Sequence, residues 1–428
     1  MRCAAVSAIR WPVMTAAGAI AGILAAAELS TAAANTPINP KLRALPMSAV
    51  SYVPVTFAEI PGWEADDHLA AFDAFMRSCR RIVPQSPSSR RVLPADLLAD
   101  ICGVAATLSQ ATVSRSAAKA FFEAHFTPHR VAHADAAGMV TGYYEPVVKG
   151  SRKRGRGFTA PILRRPADLV NVVQETERGA KADGLTHVRR ASDGQLVPYP
   201  TRKEIEEGAL AGMGLELLYL SDPVDVFFMQ VQGSGRVELD DGTTVRVTYD
   251  GKNGHPYTSV GRHLIETGQF TTEQVSLQSL ERWLRSEPER GRAAMQVNES
   301  YVFFRELAEA EAQGPLGAMS IPLSEGRSLA VDTTYHALGL PVWVSSPKLT
   351  HVTPPGGFGR LMVAHDVGSA IRGPERGDIY FGSGDAAGRL AGITKHAANF
   401  IVLLPNAAAD DLEASTGGAT PGSRTAGQ

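Results

Sequence analysis

Residues 360–388 read RLMVAHDVGSAIRGPERGDIYFGSGDAAG, and the order of residue types in this run decides the fold class. An apolar run from Leu361 leads to Asp366, a turn rich in Gly and Pro follows, and a second run, GDIYFG, carries Asp378. The same rhythm extends outward between Leu329 and Leu404, where LAVD, PVWV and NFIVLL are further short strands bounded by Gly or Pro. Strands this short, without long crossover helices between them, specify a small β barrel and not a doubly wound α/β sheet. Gly382, Gly384 and Gly388 give G-x-G-x-x-x-G in place of G-x-G-x-x-G, and no long βαβ helix is expected after them, so a dinucleotide site is rejected.

Upstream, MVTGYYEPVV at 139–148 is rich in β-branched and aromatic residues and reads as a strand interrupted at Gly142. SRKRGRG at 151–157 is a basic loop, either a solvated linker or a point of attraction for an anionic polymer. Residues 225–250 read as a hairpin, DVFFMQVQGSGRVELD and TTVRVTYD, around a turn at Asp240, Asp241 and Gly242. Helical spacing appears around 257–267 and 272–286, and dominates from Trp63 to about Val131, with helices near 66–82, 95–108 and 115–126. Cys79 extends the stripe of Leu69, Phe72 and Met76, whereas Cys102 lies with Leu98, Ile101 and Ala105. Packing of these two helices allows a disulfide across 22 intervening residues, worth about 3 kcal/mol; the alternative is a pair of buried free thiols.

Residues 1–34 carry Arg2 and Arg10, an apolar run from Trp11 to Leu29, and Ala32-Ala33-Ala34 before Asn35. They are expected to be a secretory signal cleaved near Asn35, an uncleaved anchor being the alternative. Cys3 precedes the apolar run, so no lipobox is recognised. Export would place Cys79 and Cys102 in an oxidising compartment. Residues 406–428 have almost no large apolar side chain and are expected to be disordered.

With 428 residues, 44% hydrophobic and 20% charged, the chain should fold into two or three domains. Lys and Arg total 42 against 44 Asp and Glu, which leaves no overall positive charge for nucleic acid; none is expected as a partner. HExxH, CxxC, G-x-S-x-G and Walker A patterns are missing, and His255, His336, His351, His365 and His396 fall in no metal-ligand spacing. Asp366 and Asp378 stand 12 positions apart, each beside a strand-like run, so a strand, turn and strand would bring both carboxylates to one surface. Spacing alone leaves two readings open: paired acids for proton transfer, or turn caps and ion pairs with Arg372 and Arg376.

GYYEP at 142–146, QGSGR at 232–236, YDGKNGHPYTSVGR at 249–262, NESYVFFRE at 298–306 and the run 364–388 together resemble the membrane-bound lytic murein transglycosylase A (MltA) family, over roughly residues 50–405. Asp332, in AVDTTYHALGLPVWV, with Asp366 and Asp378 looks like the three aspartates of that family's C-terminal 3D module. The residues between Asp332 and Pro341 depart from the module's usual Ile-Pro-x-Gly form.

The resemblance implies a mainly β fold with a helical N-terminal segment. A double-psi β-barrel domain would be built from 35–149 and 298–405, with an inserted β-rich domain at 150–297 and a glycan groove between them. It further implies cleavage of the β-1,4 bond between N-acetylmuramic acid and N-acetylglucosamine without water, leaving a 1,6-anhydro end. Asp378 would be the catalytic acid then base and Asp366 its support, with Asp332 structural. Thr141, Tyr143, Tyr144, Glu145, Gln230, Ser234, Arg236 and Tyr257 are the candidates for the groove, while Trp343 is expected in the core. The chemistry needs no metal or organic cofactor. Peptidoglycan glycan strands are the expected partner of a periplasmic, outer-membrane-associated monomer, with cell-wall synthesis or outer-membrane proteins as further partners. Two other readings stay open: an inverting glycoside hydrolase pairing Asp366 with Asp378, and a non-catalytic peptidoglycan-binding protein.

Overall fold

The computed structural model describes residues 50–82, 95–109, 112–134, 137–172, 185–308, 313–352 and 357–409. The expected signal at 1–34 lies outside the described residues.

Three helices lie near the start of the described chain, α1 (His68–Cys79), α2 (Ala95–Leu108) and α3 (Arg115–His125), within three residues of the boundaries expected from apolar spacing. Asp67 and Ser114 cap α1 and α3 by accepting from Ala70 N at 3.3 Å and Ala117 N at 3.1 Å. Phe72 and Phe75 of α1 meet Phe121 of α3 and Phe126, just beyond it, edge-on at 5.1 and 5.8 Å, which packs α1 on α3 and the start of the following strand. Cys79 and Cys102 are joined in a disulfide with their Cα atoms 5.3 Å apart, tying α1 to α2.

The strands before residue 146 are β1 (Ser51–Pro54), β2 (Phe126–Ala132) and β3 (Met139–Glu145). Those of the middle are β4 (Val147–Ser151), β5 (Ala160–Leu163), β6 (Leu169–Asn171), β7 (His187–Arg190), β8 (Leu196–Pro198), β9 (Glu216–Leu220), β10 (Ser234–Leu239), β11 (Thr244–Lys252) and β12 (Val302–Glu306). The last are β13 (Ser328–Ala330), β14 (Pro341–Ser346), β15 (Phe358–Asp366), β16 (Arg376–Ser383), β17 (Lys395–Ala397) and β18 (Asn399–Pro405). Helices α4 (Arg202–Glu204), α5 (Pro223–Gln232), α6 (Val260–Glu266), α7 (Leu277–Ser286) and α8 (Pro288–Gln296) accompany the middle strands, and α9 (Gly384–Ile393) links β16 to β17.

A nine-stranded sheet takes the outer strands in the order β1-β2-β18-β14-β15-β13-β16-β3-β17. A six-stranded sheet, β12-β11-β10-β4-β9-β5, and a three-stranded sheet, β6-β7-β8, use the middle ones. The fold is therefore mixed helix and sheet. The closed barrel expected from the C-terminal strands is not what the pairing shows: the nine-stranded order ends at β1 and β17, which do not pair with each other. β1 is short and mostly exposed, which suits an edge strand.

Two local expectations are corrected. Residues 223–232 are helix and not a hairpin arm, because Asp222 caps with Pro223 in the first turn and Gly233 ends the helix at φ 78°. β3 runs through Gly142 and breaks at Pro146; a Cβ at 142 would stand 2.4 Å from the Phe381 ring and 2.8 Å from Ala391 Cα, so this glycine serves the close packing of α9 and β16. The ten-residue α9 starts at Gly384 and takes in Gly388, but it leads to β17, which runs antiparallel to β3 where β16 runs parallel, so no βαβ crossover follows the glycines.

Trp343 is fully buried beside Trp63, with ring centroids 5.6 Å apart, in the core under the nine-stranded sheet. Ile162, Leu218, Val237, Val247 and Phe304 form the core of the six-stranded sheet. Ordered chain continues past Pro405, since Asn406 donates to Ala124 O at 2.9 Å and Ala409 is buried; the rest of the expected tail, 410–428, lies outside the described residues. Among the described residues no helix is long and apolar enough to cross a membrane.

Candidate active site

Strands β16, β3 and β17 lie side by side, and their register sets Asp378, Thr141 and Lys395 in one row. Their even-spaced alternation sends Val140 and Ile379 into the core and leaves Asp378, Thr141 and Tyr143 on the opposite face. That face is the floor of a cavity of about 830 Å³ whose walls include Thr248 and Asp250 of β11.

Thr141 donates its hydroxyl to Asp378 Oδ1 at 2.6 Å and accepts from Arg376 Nη2 at 2.8 Å. Arginine can only donate, so the Thr141 proton is directed to Asp378. Arg376 thus reaches Asp378 through the hydroxyl and not by the direct ion pair considered from the sequence. Asp378 Oδ2 has no hydrogen-bond partner among the described residues. Burial pushes the Asp378 carboxyl up to about 6, against the opposing charge of Arg376 and the Thr141 bond.

Asp366, at the end of β15, is bound differently. Ala318 N and Val367 N donate to its Oδ1 at 3.0 and 2.9 Å, and Tyr143 donates to Oδ2 at 3.0 Å. Burial raises this carboxyl to about 6 also; its three donors act against the rise and the charge of Asp378 adds to it. Burial first, then the two aspartates, hold the Tyr143 phenol well above its ordinary value, so it stays a donor. Asp332 does not line the cavity; it accepts from Thr334 N at 3.0 Å and Gly373 N at 2.9 Å, fixing the turn between the other two aspartates.

Of the eight groove candidates, Thr141, Tyr143, Gln230, Ser234 and Tyr257 line the cavity. Gln230 is 4% exposed and donates to Val302 O, leaving its buried Oε1 without a partner among the described residues. Tyr144, Glu145 and Arg236 do not line it. Tyr144 falls on the core face of β3, over Gly388 of α9. Glu145 is fully buried, accepting from Arg246 Nη2 at 3.1 Å and Ser383 Oγ at 2.6 Å, with Arg236 at 3.5 Å. It joins the nine-stranded sheet to β10 and β11. The basic loop at 151–157 also lies outside the cavity lining. His365, next to Asp366, is buried between Ser78 and Ser328 at 2.9 and 2.7 Å, and burial pushes it down to about 3. Sequence reasoning missed Arg376 as a partner of Thr141 and missed Lys395; the two-residue offset from Arg376 to Asp378 on one strand was the available signal for the first.

The sequence matches the MltA specific insert domain over residues 139–305 and the 3D domain over 327–404. The membrane-bound lytic murein transglycosylase A of Vibrio cholerae is 39% identical over 262 residues, 60% of this chain and 63% of that protein. The matched stretch thus spans less than two thirds of this curated relative. The crystal structure of a membrane-bound lytic murein transglycosylase from Agrobacterium tumefaciens superposes with a TM-score of 0.76 at 36% identity, covering 85% of this chain and 99% of that one. Escherichia coli MltA with bound chitohexaose superposes with a TM-score of 0.58 at 27% identity, covering 83% of this chain and 91% of that one.

Proposed function

The chain belongs to the membrane-bound lytic murein transglycosylase A family, and from that premise we propose that it is a peptidoglycan lytic transglycosylase with Asp378 as its acid and base. One observation carries the assignment. Asp378 stands in the cavity with its pKa raised to about 6, one oxygen held by Thr141 and the other free.

Because Thr141 fills Oδ1, the acid's proton belongs on Oδ2, where it can pass to the glycosidic oxygen of the N-acetylmuramic acid to N-acetylglucosamine bond. As that oxygen takes the proton, the bond from C1 to oxygen breaks. The C6 hydroxyl of the same muramic residue, already at high effective concentration, bonds to C1 and returns its proton to the Asp378 carboxylate. The products are a free 4-hydroxyl and a 1,6-anhydro ring, no water is consumed, and the acid is regenerated. Arg376 stabilises the transient carboxylate through Thr141. Three donors favour the ionised form of Asp366, whose charge supports the developing positive charge on the sugar. That filled hydrogen-bond shell makes Asp366 a poor base for water, which weighs against the inverting hydrolase.

Gln230, Ser234 and Tyr257 line the cavity where sugar hydroxyls and faces would lie. The glycan-bound relative supports a carbohydrate ligand. The second domain is an insertion whose ends fall nearer 147 and 306 than 150 and 297, since β4 and β12 belong to the six-stranded sheet. The parallel pairs β13 with β15 and β16 with β3 support a double-psi arrangement of the outer strands. The working place is the periplasmic face of the cell envelope.

Purified protein incubated with murein sacculi should release anhydro-muropeptides, and Asp378→Asn or Asp378→Ala should release none. Fragments with reducing ends, or release undiminished in either variant, would overturn the reading.

A further inference from the structure

The cavity is lined by eight Lys or Arg residues and three Asp, in a chain whose net charge is −2. Most of these cations are committed elsewhere: Arg202 to Asn298 O and Ser300 O, Arg165 to Asp250 O and Leu169 O, Arg376 to Thr141. Lys395 is not. It is exposed, lines the cavity, and its ammonium has no hydrogen bond or ion pair among the described residues. Its position is fixed by pairing: Lys395 faces Thr141, which faces Asp378, so the three residues cross the floor in one row. Two strand spacings separate the main chains of Lys395 and Asp378 by about 10 Å, and a lysine stem spans part of that distance.

We propose that Lys395 is a specificity residue that binds a carboxylate carried on C3 of the muramic residue being cleaved. This rests on the transglycosylase reading. C3 is two bonds from the reacting C1, and its lactyl group bears either a free carboxylate or, when that carboxyl is amidated, a stem peptide with carboxylates of its own. A neutral chitin-type sugar has neither. An unpaired ammonium in the same row as the acid, two strands away, therefore favours murein over a neutral glycan, and in this partly enclosed site its charge is less screened than on open surface.

The test measures affinities of the full chain in an Asp378→Asn background for three labelled glycans: stem-bearing murein strands, amidase-stripped strands with free lactyl carboxylates, and neutral chitohexaose. Lys395→Gln should lower the ratio of carboxylate-bearing to neutral affinity by about tenfold, and Lys395→Arg should restore it. A fall confined to stem-bearing strands assigns the stem carboxylate, and one confined to stripped strands assigns the lactyl group; either supports the inference. An unchanged ratio, or equal losses on all three glycans, overturns it. Sacculus digestion by the wild type reads the other question: a moved ratio without anhydro products would sink the proposed activity alone, and products without a moved ratio would sink only the role of Lys395.

Discussion

Asp366 and Asp378 flank a single residue, Ala330, which pairs with Asp378 across β16 and with Asp366 across β15. The two acids therefore share one buried neighbourhood yet meet different partners. Asp366 has both oxygens occupied, by two backbone N–H groups and a phenol, whereas Asp378 has one oxygen occupied, by a hydroxyl. Burial lifts both carboxyls to about 6, and they differ in what they offer a substrate: Asp378 has an oxygen open to the cavity, whereas Asp366 has none. Titrations of the pair will report coupled values.

Burial of Asp378 has a stability cost that depends on pH. Its carboxyl rises from 3.8 to about 6 on folding, so the folded chain holds a proton that the unfolded chain releases. The favourable protonated state is fully present below about 4, and stability declines as pH rises through about 6. Asp378→Asn keeps an acceptor for Thr141 and removes the charge. Its Tm should exceed the wild type's at pH 8, by at most about 3 kcal/mol of stability, and the gap should close towards pH 4. A gap independent of pH, measured by thermal unfolding, would show that Asp378 is not the buried acid.

Thr141→Val removes the bridge between Arg376 and Asp378 at nearly constant volume. The Thr141 bond holds the Asp378 carboxyl down, so its loss should move the alkaline limb of the kcat profile to higher pH. Turnover should fall about tenfold or more through misplacement of the proton, with KM changed less. A uniform loss with an unmoved pH profile would limit Thr141 to packing.

Tyr143→Phe removes one donor from Asp366 and leaves the two backbone N–H groups. Asp366 should then protonate more readily, and the acidic limb of the profile should move up. An acidic limb that stays in place would show that ionisation of Asp366 is not needed for turnover.

The residues that sequence placed well are those governed by local rules. Apolar spacing located α1 to α3, and β-branched runs bounded by Gly and Pro located β14, β15, β16 and β18. Residues 223–232 misled because Phe227, Phe228 and Met229 suit a strand as well as a buried helix, and the decisive signals, Asp222 with Pro223 and then Gly233, lie at its ends. Pairing partners far apart in the chain were not legible. Nothing local joins Thr141 to Asp378, 237 positions away, or separates Thr141 and Tyr143, which face the cavity, from Tyr144 and Glu145, which do not. Only the register of β3 against β16 decides which alternate residues point inward.

The disulfide is remote from the chemistry, since neither Cys79 nor Cys102 lines the cavity. Replacing both with Ser should lower stability by about 3 kcal/mol, the loop-closure value for this chain separation, while activity at low temperature is kept. Denaturant unfolding with and without reductant measures it; wild type should fall to the variant's midpoint once reduced. Midpoints that do not converge would place the loss in the packing of α1 on α2.

Glu145 offers the sharpest contrast between a residue near the site and one in it. It ends β3, four positions beyond Thr141, but its carboxylate turns away from the cavity into a fully buried cluster with Arg246, Arg236 and Ser383. A buried carboxylate so placed is costly to remove, because the Arg246 guanidinium, also buried, loses its counter-charge. Glu145→Gln should therefore destabilise the chain by about 3–5 kcal/mol, and pairing Glu145→Leu with Arg246→Met should recover a large part of the loss, since an apolar pair leaves no buried charge unmatched. At a temperature where Glu145→Gln is folded, it should still yield anhydro products, the opposite of what a catalytic carboxylate would give. Urea unfolding of the two variants beside the wild type, with product analysis, separates the two roles: loss of turnover in a fully folded Glu145→Gln protein would return this residue to the reaction.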